Sequence, residues 1–256
     1  PGSVEECYTM AQDTFALAER FQTLVFLLSD LDLGMNTWMA EPFSYKTQPL
    51  DRGKVLDAEA LDKLEAFHRY ADVDGDGIPY RTLPGTRHAK APYFTRGSGH
   101  NAQAKYTEKP TEWKAGLDRL NKKFETAAQE LPAPHLQVGD GETEFALIAY
   151  GSTEAAMPEM LDQLKDEGLQ PDYLRIRALP FHPQVRAFIE SQERVYILEQ
   201  NRDGQMLRLL AAEYPDLAPK LRSITHYDGT FIDALSLSKA VLHHEKPVHA
   251  EAAAHV

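Results

Sequence analysis

Cysteine is nearly absent from this 256-residue chain, which carries only Cys7. One thiol cannot close an internal disulfide, complete a cysteine zinc site or hold an iron–sulfur cluster, so any cluster must belong to a partner. Positive charge is also scarce: 27 Lys and Arg stand against 39 Asp and Glu, a formal net charge of -12. Nucleic acid and anionic membranes attract basic patches, so this balance argues against a broad surface for either, although local basic clusters stay open. Long apolar runs are missing too. "LVFLLSD" and "FALIAYG" fall far short of a bilayer span, and with no charged-then-apolar leader the chain reads as cytoplasmic. There is no GxSxG elbow, HExxH pair, Walker loop or dinucleotide fingerprint.

What is present is a globular composition, 43% apolar, enough to build a core. The chain opens without Met on "PGSVEECYTMAQDTFALAERFQ", where Ser3 and Glu6 make a capping box and Val4, Cys7, Ala11, Phe15 and Ala18 share a helical face. A buried strand is expected directly after it, from Leu24 to Leu28. One strand cannot make a sheet, so the expectation is that this segment joins strands outside the sequence and that the chain is the carboxyl-terminal part of something longer. Long aperiodic stretches follow, with a short helix around Ala58 to Tyr70; loops of this length are usually functional or interfacial. A helix from about Thr111 to Leu131 stops at "LPAPH", and "VGDGETE" marks a domain boundary near residue 140.

Beyond that boundary apolar runs alternate with amphipathic helices: "FALIAYG", a helix to Glu167 ended by Gly168, "DYLRIRALPF", a helix from Pro183, "RVYILEQ", a helix from Gly204, and "LRSITHYDG". This spacing predicts a parallel, doubly wound α/β sheet over 141–235. Residues 236–256, ending in "HHEKPVHAEAAAHV", read as a mobile tail in which His243, His244, His249 and His255 are solvated rather than metal ligands.

In such sheets ligands bind beyond the carboxyl ends of the strands. The residues after each apolar run are therefore informative: Ser29, Asp30 and Asp32 after the first, Gly151 and Ser152 after the second, Leu179 to His182 after the third, and Glu199 to Gly204 after the fourth. Glu199 is placed to act as an acid or base, or to pair with Arg202. His100 in "RGSGHN", with Arg96 nearby, offers an imidazole and a cation to an acidic substrate, or is a plain loop histidine.

"RYADVDGDGIPYRTLPGT" looks like a metal loop. Asp72, Asp74, Asp76 and Gly77 match positions 1, 3, 5 and 6 of a calcium loop, but position 12 is Leu83 where a bidentate glutamate is needed. Pro79 also opposes a helix leaving the loop in the usual way. The favoured reading is a turn in which Asp caps amides and Gly supplies positive φ.

Taken in order, "AERFQTLVFLLSDLDLGMNTWM", "LDRGKVL", "RYADVDGDGIPYRTLPGT", "YFTRGSGHN", "LDRLNKKFETA", "YLRIRALPF" and "VYILEQNRDGQM" resemble the alpha subunit of 2-oxoacid:ferredoxin oxidoreductases, most nearly the 2-oxoglutarate type. The resemblance runs up to about Ile232. It implies residues 1–140 as the end of a thiamine-enzyme pyrimidine-type domain with extended interface loops, and 141–235 as a transketolase C-terminal-like domain. It also implies oxidative decarboxylation of a 2-oxoacid to an acyl-coenzyme A with electrons passed to ferredoxin. A beta subunit would hold thiamine diphosphate, Mg2+ and a [4Fe-4S] cluster, in a two-fold assembly of alpha–beta pairs. The family's catalytic glutamate and substrate-holding threonine and arginine lie upstream of this sequence, so none is carried over. Asp30, Asp32, Asn36, Arg81, Arg96 and His100 remain as substrate- or interface-facing candidates, and Asp72, Asp74 and Asp76 as turn builders rather than thiamine metal ligands. A pyruvate or branched-chain enzyme, or a non-catalytic assembly module, are the alternatives.

Overall fold

A computed structural model describes residues 1–45, 47, 49–95 and 97–245. Its helices and strands in chain order are α1 (Val4–Phe21), α2 (Leu31–Met35), α3 (Ala58–Asp62), α4 (Pro110–Glu130), β1 (His135–Gln137), β2 (Phe145–Tyr150), α5 (Met157–Asp166), β3 (Asp172–Ile176), α6 (Pro183–Ser191), β4 (Arg194–Glu199), α7 (Gln205–Glu213), β5 (Leu221–Thr225) and α8 (Ala234–Glu245). The chain divides into two compact units. Unit 1 comprises Pro1–Thr9, Leu28–Phe43 and everything described from Pro132 on; unit 2 comprises Met10–Leu27 and Ser44–Leu131. The single boundary expected near residue 140 is therefore only one of several passages between units, and it falls at Leu131 and Pro132.

Unit 1 holds a five-stranded sheet in the order β1-β3-β2-β4-β5. β2 runs parallel to β3 and β4, and β4 parallel to β5. Side chains alternate across a strand, and here both faces are apolar, as buried parallel strands require. Phe145, Leu147 and Ala149 of β2 join Met160 and Leu164 of α5 and Leu237 and Val241 of α8 on one face. Ala146 and Ile148 join Val185 and Ile189 of α6 and Met206 and Leu210 of α7 on the other. The doubly wound α/β layout read from the sequence is thus present. β1, too short and polar to register as a strand, adds an antiparallel edge with His135 opposite Arg175.

Three expectations need correction. Leu24 to Leu28 are not a buried strand: Leu24, Phe26 and Leu28 are 82%, 78% and 76% exposed, and the segment has no ladder partner. In α1 the buried residues are Met10 and Phe21, whereas Phe15 faces out. The tail does not begin at 236, because α8 carries Leu237 and Val241 into the core and ends on Glu245, whose carboxylate takes hydrogen bonds from Arg194 and the Tyr196 hydroxyl. His243 and His244 lie in this helix, and 246–256 lie outside the described residues.

In the amino-terminal piece of unit 1 the Ser3 hydroxyl accepts from the Glu6 amide at 3.2 Å, half of the expected capping box. The Glu6 carboxylate instead takes the Gly2 amide at 2.7 Å and the Arg175 fork at 2.7 and 2.8 Å, with Arg177 at 2.9 Å. Burial pushes Glu6 up, but these donors hold it down at about 2.

Unit 2 is built of loops around α4, with Phe21, Ile78 and Ala127 as a small core. The helix expected over Ala58 to Tyr70 is cut to α3: Asp57 caps its start, and the Lys90 ammonium takes the Leu61 and Leu64 carbonyls at its end.

Candidate functional site

The carboxyl edge of the unit 1 sheet should offer a ligand crevice where the chain leaves β2 and β4 in opposite directions. Its own side chains fill it. After β2 the chain turns at Gly151, φ +61°, into a 3-10 segment, Gly151–Ala156, that leads into α5. The first free amide there, Ser152 N, donates to Asp30 Oδ2 at 3.2 Å, while Asp30 Oδ1 caps α2 through Leu33 N at 3.0 Å. Burial raises the Asp30 pKa, but the two amides outweigh it and the net direction is down. Asp32 is spent locally, with its carboxylate on Asn36 and its carbonyl on the Trp38 indole at 2.9 Å. Asp30, Asp32 and Asn36 thus come together as a self-satisfied turn.

Beside them Gln200 Nε2 bridges the hydroxyls of Ser152 and Thr153 at 2.9 and 3.2 Å. Glu199 is fully buried. It accepts from the amides of Met206 at 2.8 Å and Leu207 at 3.3 Å, from Asn201 Nδ2 at 2.7 Å and from the Tyr150 hydroxyl at 3.4 Å. Of the two readings open for Glu199, neither holds: Arg202 pairs with Asp203, and the carboxylate is sealed inside as a clamp on the start of α7, where a negative charge is favoured. Burial, then the Glu199 charge, pushes Tyr150 up to about 12.

Unit 2 contains the more open chemistry. A cavity of about 600 Å³ is lined by Tyr70, His100, Trp113, Leu117, Arg119 and Leu120, among others. The His100 ring lies against that of Tyr70, tilted by 41° with centroids 3.9 Å apart, and its Nδ1 lies 3.2 Å from the Ser98 carbonyl. Gly99 is demanded by packing, since a Cβ there would meet the Trp113 ring at 2.3 Å. Arg69 and Arg119 approach the Tyr70 ring at 4.8 and 5.9 Å. Burial and then the Arg69 charge lower the Arg119 pKa; burial, then Arg119 and Arg69, lower that of Lys123. Neither Arg119 nor Lys123 forms an ion pair with a carboxylate among the described residues, although Asp72 and Glu112 line the same cavity as Arg119 and the Asp72 charge acts on it.

Arg81 is engaged within unit 2 by Glu19 and by the Arg52 carbonyl at 3.2 Å, and Arg96 lies outside the described residues. In the aspartate loop, Asp72 accepts from the Gly75 and Gly77 amides at 2.9 and 3.0 Å, and Lys54 Nζ lies 2.6 Å from Asp74 and 2.7 Å from Asp76. No group of three or more metal-ligating side chains exists among the described residues. The donors present fit neither a thiamine-bound Mg2+ nor a cluster. Sequence reasoning missed Lys54, Tyr70, Trp113 and Arg119. The one available signal was Arg119 with Lys123, like charges four apart near the core side of α4, which repel unless something offsets them.

The sheet and its two helical layers define a doubly wound α/β domain. Across 94% of this chain and 41% of the other, the fold matches 2-oxoglutarate:ferredoxin oxidoreductase from Magnetococcus marinus with 2-oxoglutarate, coenzyme A and succinyl-CoA bound, at a TM-score of 0.82 and 22% identity. In sequence the chain is 32% identical over 217 residues, 82% of its length, to 2-oxoacid:ferredoxin oxidoreductase 2, subunit alpha, of Aeropyrum pernix. It is 26% identical over 197 residues to the 2-oxoacid:ferredoxin oxidoreductase subunit alpha of Saccharolobus solfataricus. These relatives are subunits of oxidoreductases, and the chain spans about a third of the length of each. No family model matches. No helix of the described residues is long and apolar enough to cross a membrane.

Proposed function

We propose that this chain serves in the alpha subunit of a cytoplasmic 2-oxoacid:ferredoxin oxidoreductase, acting on 2-oxoglutarate. The reaction is 2-oxoglutarate plus coenzyme A plus two oxidised ferredoxins to succinyl-CoA, carbon dioxide, two reduced ferredoxins and one proton, and it is reversible in principle. The observation that carries the reading is 32% identity over 82% of the chain to an alpha subunit. The choice of 2-oxoglutarate rests on the seven ordered motifs and on the ligand named for the structural neighbour. Thiamine diphosphate supplies the chemistry that cleaves the bond between the two carbonyl carbons, and it belongs with Mg2+ and the [4Fe-4S] cluster to a beta subunit, in keeping with a single cysteine here. The residues of this chain then bind and shape rather than transfer electrons. The cavity lined by Arg119, His100, Asp72 and Glu112 is the open surface left for substrate or partner, and the sealed edge around Asp30 and Glu199 is rigid scaffold.

The test is anaerobic reduction of a viologen dye by the full-length complex with coenzyme A across a panel of 2-oxoacids. Preference for 2-oxoglutarate supports the whole reading. Preference for pyruvate or a branched-chain acid keeps the mechanism and moves the substrate. No reduction with any acid leaves an assembly module, the reading that the self-filled sheet edge favours.

A further inference from the structure

Helix α4 docks on the rest of unit 2 through its polar side. Arg119 Nη1 donates to the Gly77 carbonyl at 2.9 Å, the Thr126 hydroxyl donates to the Asp76 carbonyl at 2.8 Å, and Lys123 is buried. An ordinary surface helix does the reverse and turns its apolar stripe to the core. Here the stripe stays out: Trp113, Leu117, Leu120 and Phe124 are between 36% and 53% exposed. They follow one another at steps of four, three and four, in one row along the helix. That is the spacing of a helix that packs against another helix. The row is also held ready. The Trp113 ring packs on Gly99, where a Cβ would meet it at 2.3 Å, and the Lys123 ammonium lies 5.3 Å from the centroid of the Phe124 ring.

The helix itself indicates what covers this row. Gly116 lies inside α4 beside the row, and a Cβ there would meet nothing within 4 Å. Glycine inside a helix is unfavourable, and its own surroundings do not ask for it; a second helix coming close does. The row reads Trp, Leu, Leu, Phe. Turned end over end it meets itself, with Trp113 opposite Phe124 and Leu117 opposite Leu120. Its outer flank carries Lys114 towards the start of the helix and Glu125 towards the end, both exposed. An antiparallel pair sets Lys114 of each copy beside Glu125 of the other and opposes the helix dipoles, whereas a parallel pair sets like charges together. Within one chain Lys114 holds Asp118 at 2.6 Å, and Glu125 takes Asn121 Nδ2 at 2.7 Å and lies 3.5 Å from Lys122. Such exposed contacts are weak enough to be exchanged. The row leaves roughly 350 Å² of side chain open in each copy, so a pair covers about twice that, less than a standard interface.

We propose that the exposed row of α4 is a self-association surface, on which α4 of a second copy packs antiparallel about a two-fold axis near residues 118 and 119. The inference rests on this helix alone and not on the substrate proposed above.

The test is sedimentation equilibrium of the full chain over about 1 to 200 μM, with a Kd on the order of 10⁻⁵ M expected for so small an interface. The wild type should pass from one chain mass to two. Leu117→Gln and Gly116→Gln should each raise Kd about tenfold or more, and Gly116→Gln should do so with the thermal midpoint unchanged or higher, because glycine leaves the helix. Lys114→Glu should raise Kd about threefold, and adding Glu125→Lys to it should restore the wild-type value, a recovery that a parallel pair or another face does not give. If Leu117→Gln fails to fold, these charge reversals at exposed positions decide alone. A wild type that keeps one chain mass throughout, a double mass that the α4 variants leave unchanged, or charge reversals without recovery overturns the proposal. A chain that gains mass only with a different subunit assigns the row to that subunit, and overturns it too.

Discussion

Glu199 is the residue whose replacement tests the fold most sharply. It is fully buried and holds two α7 amides, an Asn201 amide and the Tyr150 hydroxyl. Glu199→Ala strips the partner from the Met206 amide, itself buried, and from that of Leu207. Each orphaned buried donor costs about 1–3 kcal/mol, and the lost charge at the helix start adds up to ~1 kcal/mol. The expected loss is about 3–5 kcal/mol, which for a chain of this size lowers the thermal midpoint by roughly 6–20 °C. Glu199→Gln keeps one acceptor but turns an amide donor toward other donors, so about half that loss is expected.

Urea unfolding at neutral pH reads the difference directly, with an unchanged m-value as the check that the unfolded state is the same. Tyr150 gives a second readout. A phenol pushed up to about 12 contributes stability that is complete below its ordinary value of 10 and is lost as pH rises through 12. In Glu199→Gln burial remains but the neighbouring charge is gone, so the phenolate absorbance should appear at lower pH. If Glu199→Ala stays within about 1 kcal/mol of wild type, water or another oxygen satisfies those amides, and the clamp reasoning fails.

Glu6, held at about 2 against an ordinary 4.5, contributes stability that is present above pH 4.5 and lost as pH falls toward 2. Arg175→Leu should cost about 2 kcal/mol at neutral pH and flatten that acid limb in urea midpoints, and an unaltered limb would dismiss the pairing. Gly77→Ala combines positive φ with a Cβ 2.3 Å from the Lys123 amide nitrogen and should cost about 3 kcal/mol or more, whereas Gly75→Ala, φ +76° in open space, should cost about 1 kcal/mol. Equal melting of the two would refute the packing argument. His100→Ala in the assembled enzyme should lower kcat/KM for the 2-oxoacid about tenfold with the midpoint nearly unmoved, and unchanged kinetics would remove the cavity from the substrate path.

The sheet was legible because buried parallel strands write unbroken apolar runs such as "FALIAY" into the sequence and their helices a period of 3.6, as in the α5 residues Met157, Met160 and Leu164. Leu24 to Leu28 show where that signal fails. Apolarity marks what a segment can bury, not whether a neighbour is there to cover it. The end of the chain misled for the opposite reason: "HHE" reads as solvated, yet Glu245 is fixed by Arg194 and Tyr196 from 49 or more positions away. The candidate site was half legible. Loop chemistry singled out His100 and the three aspartates, but the pairing of Lys54 with Asp74 and Asp76 and of Tyr70 with His100 is made by tertiary contacts that no spacing encodes.

The interleaving of the two units bears on how this chain can be divided. Cutting between Leu131 and Pro132 would release the whole sheet, yet it would leave Glu6 and Asp30 behind. Arg175, only 8% exposed, would keep a buried guanidinium with its bidentate partner gone, and the Ser152 amide would lose its carboxylate. The apparent domain border is therefore not a seam along which the protein can be trimmed or recombined. To keep those carboxylates, any piece carrying the sheet must also carry Pro1–Thr9 and Leu28–Phe43.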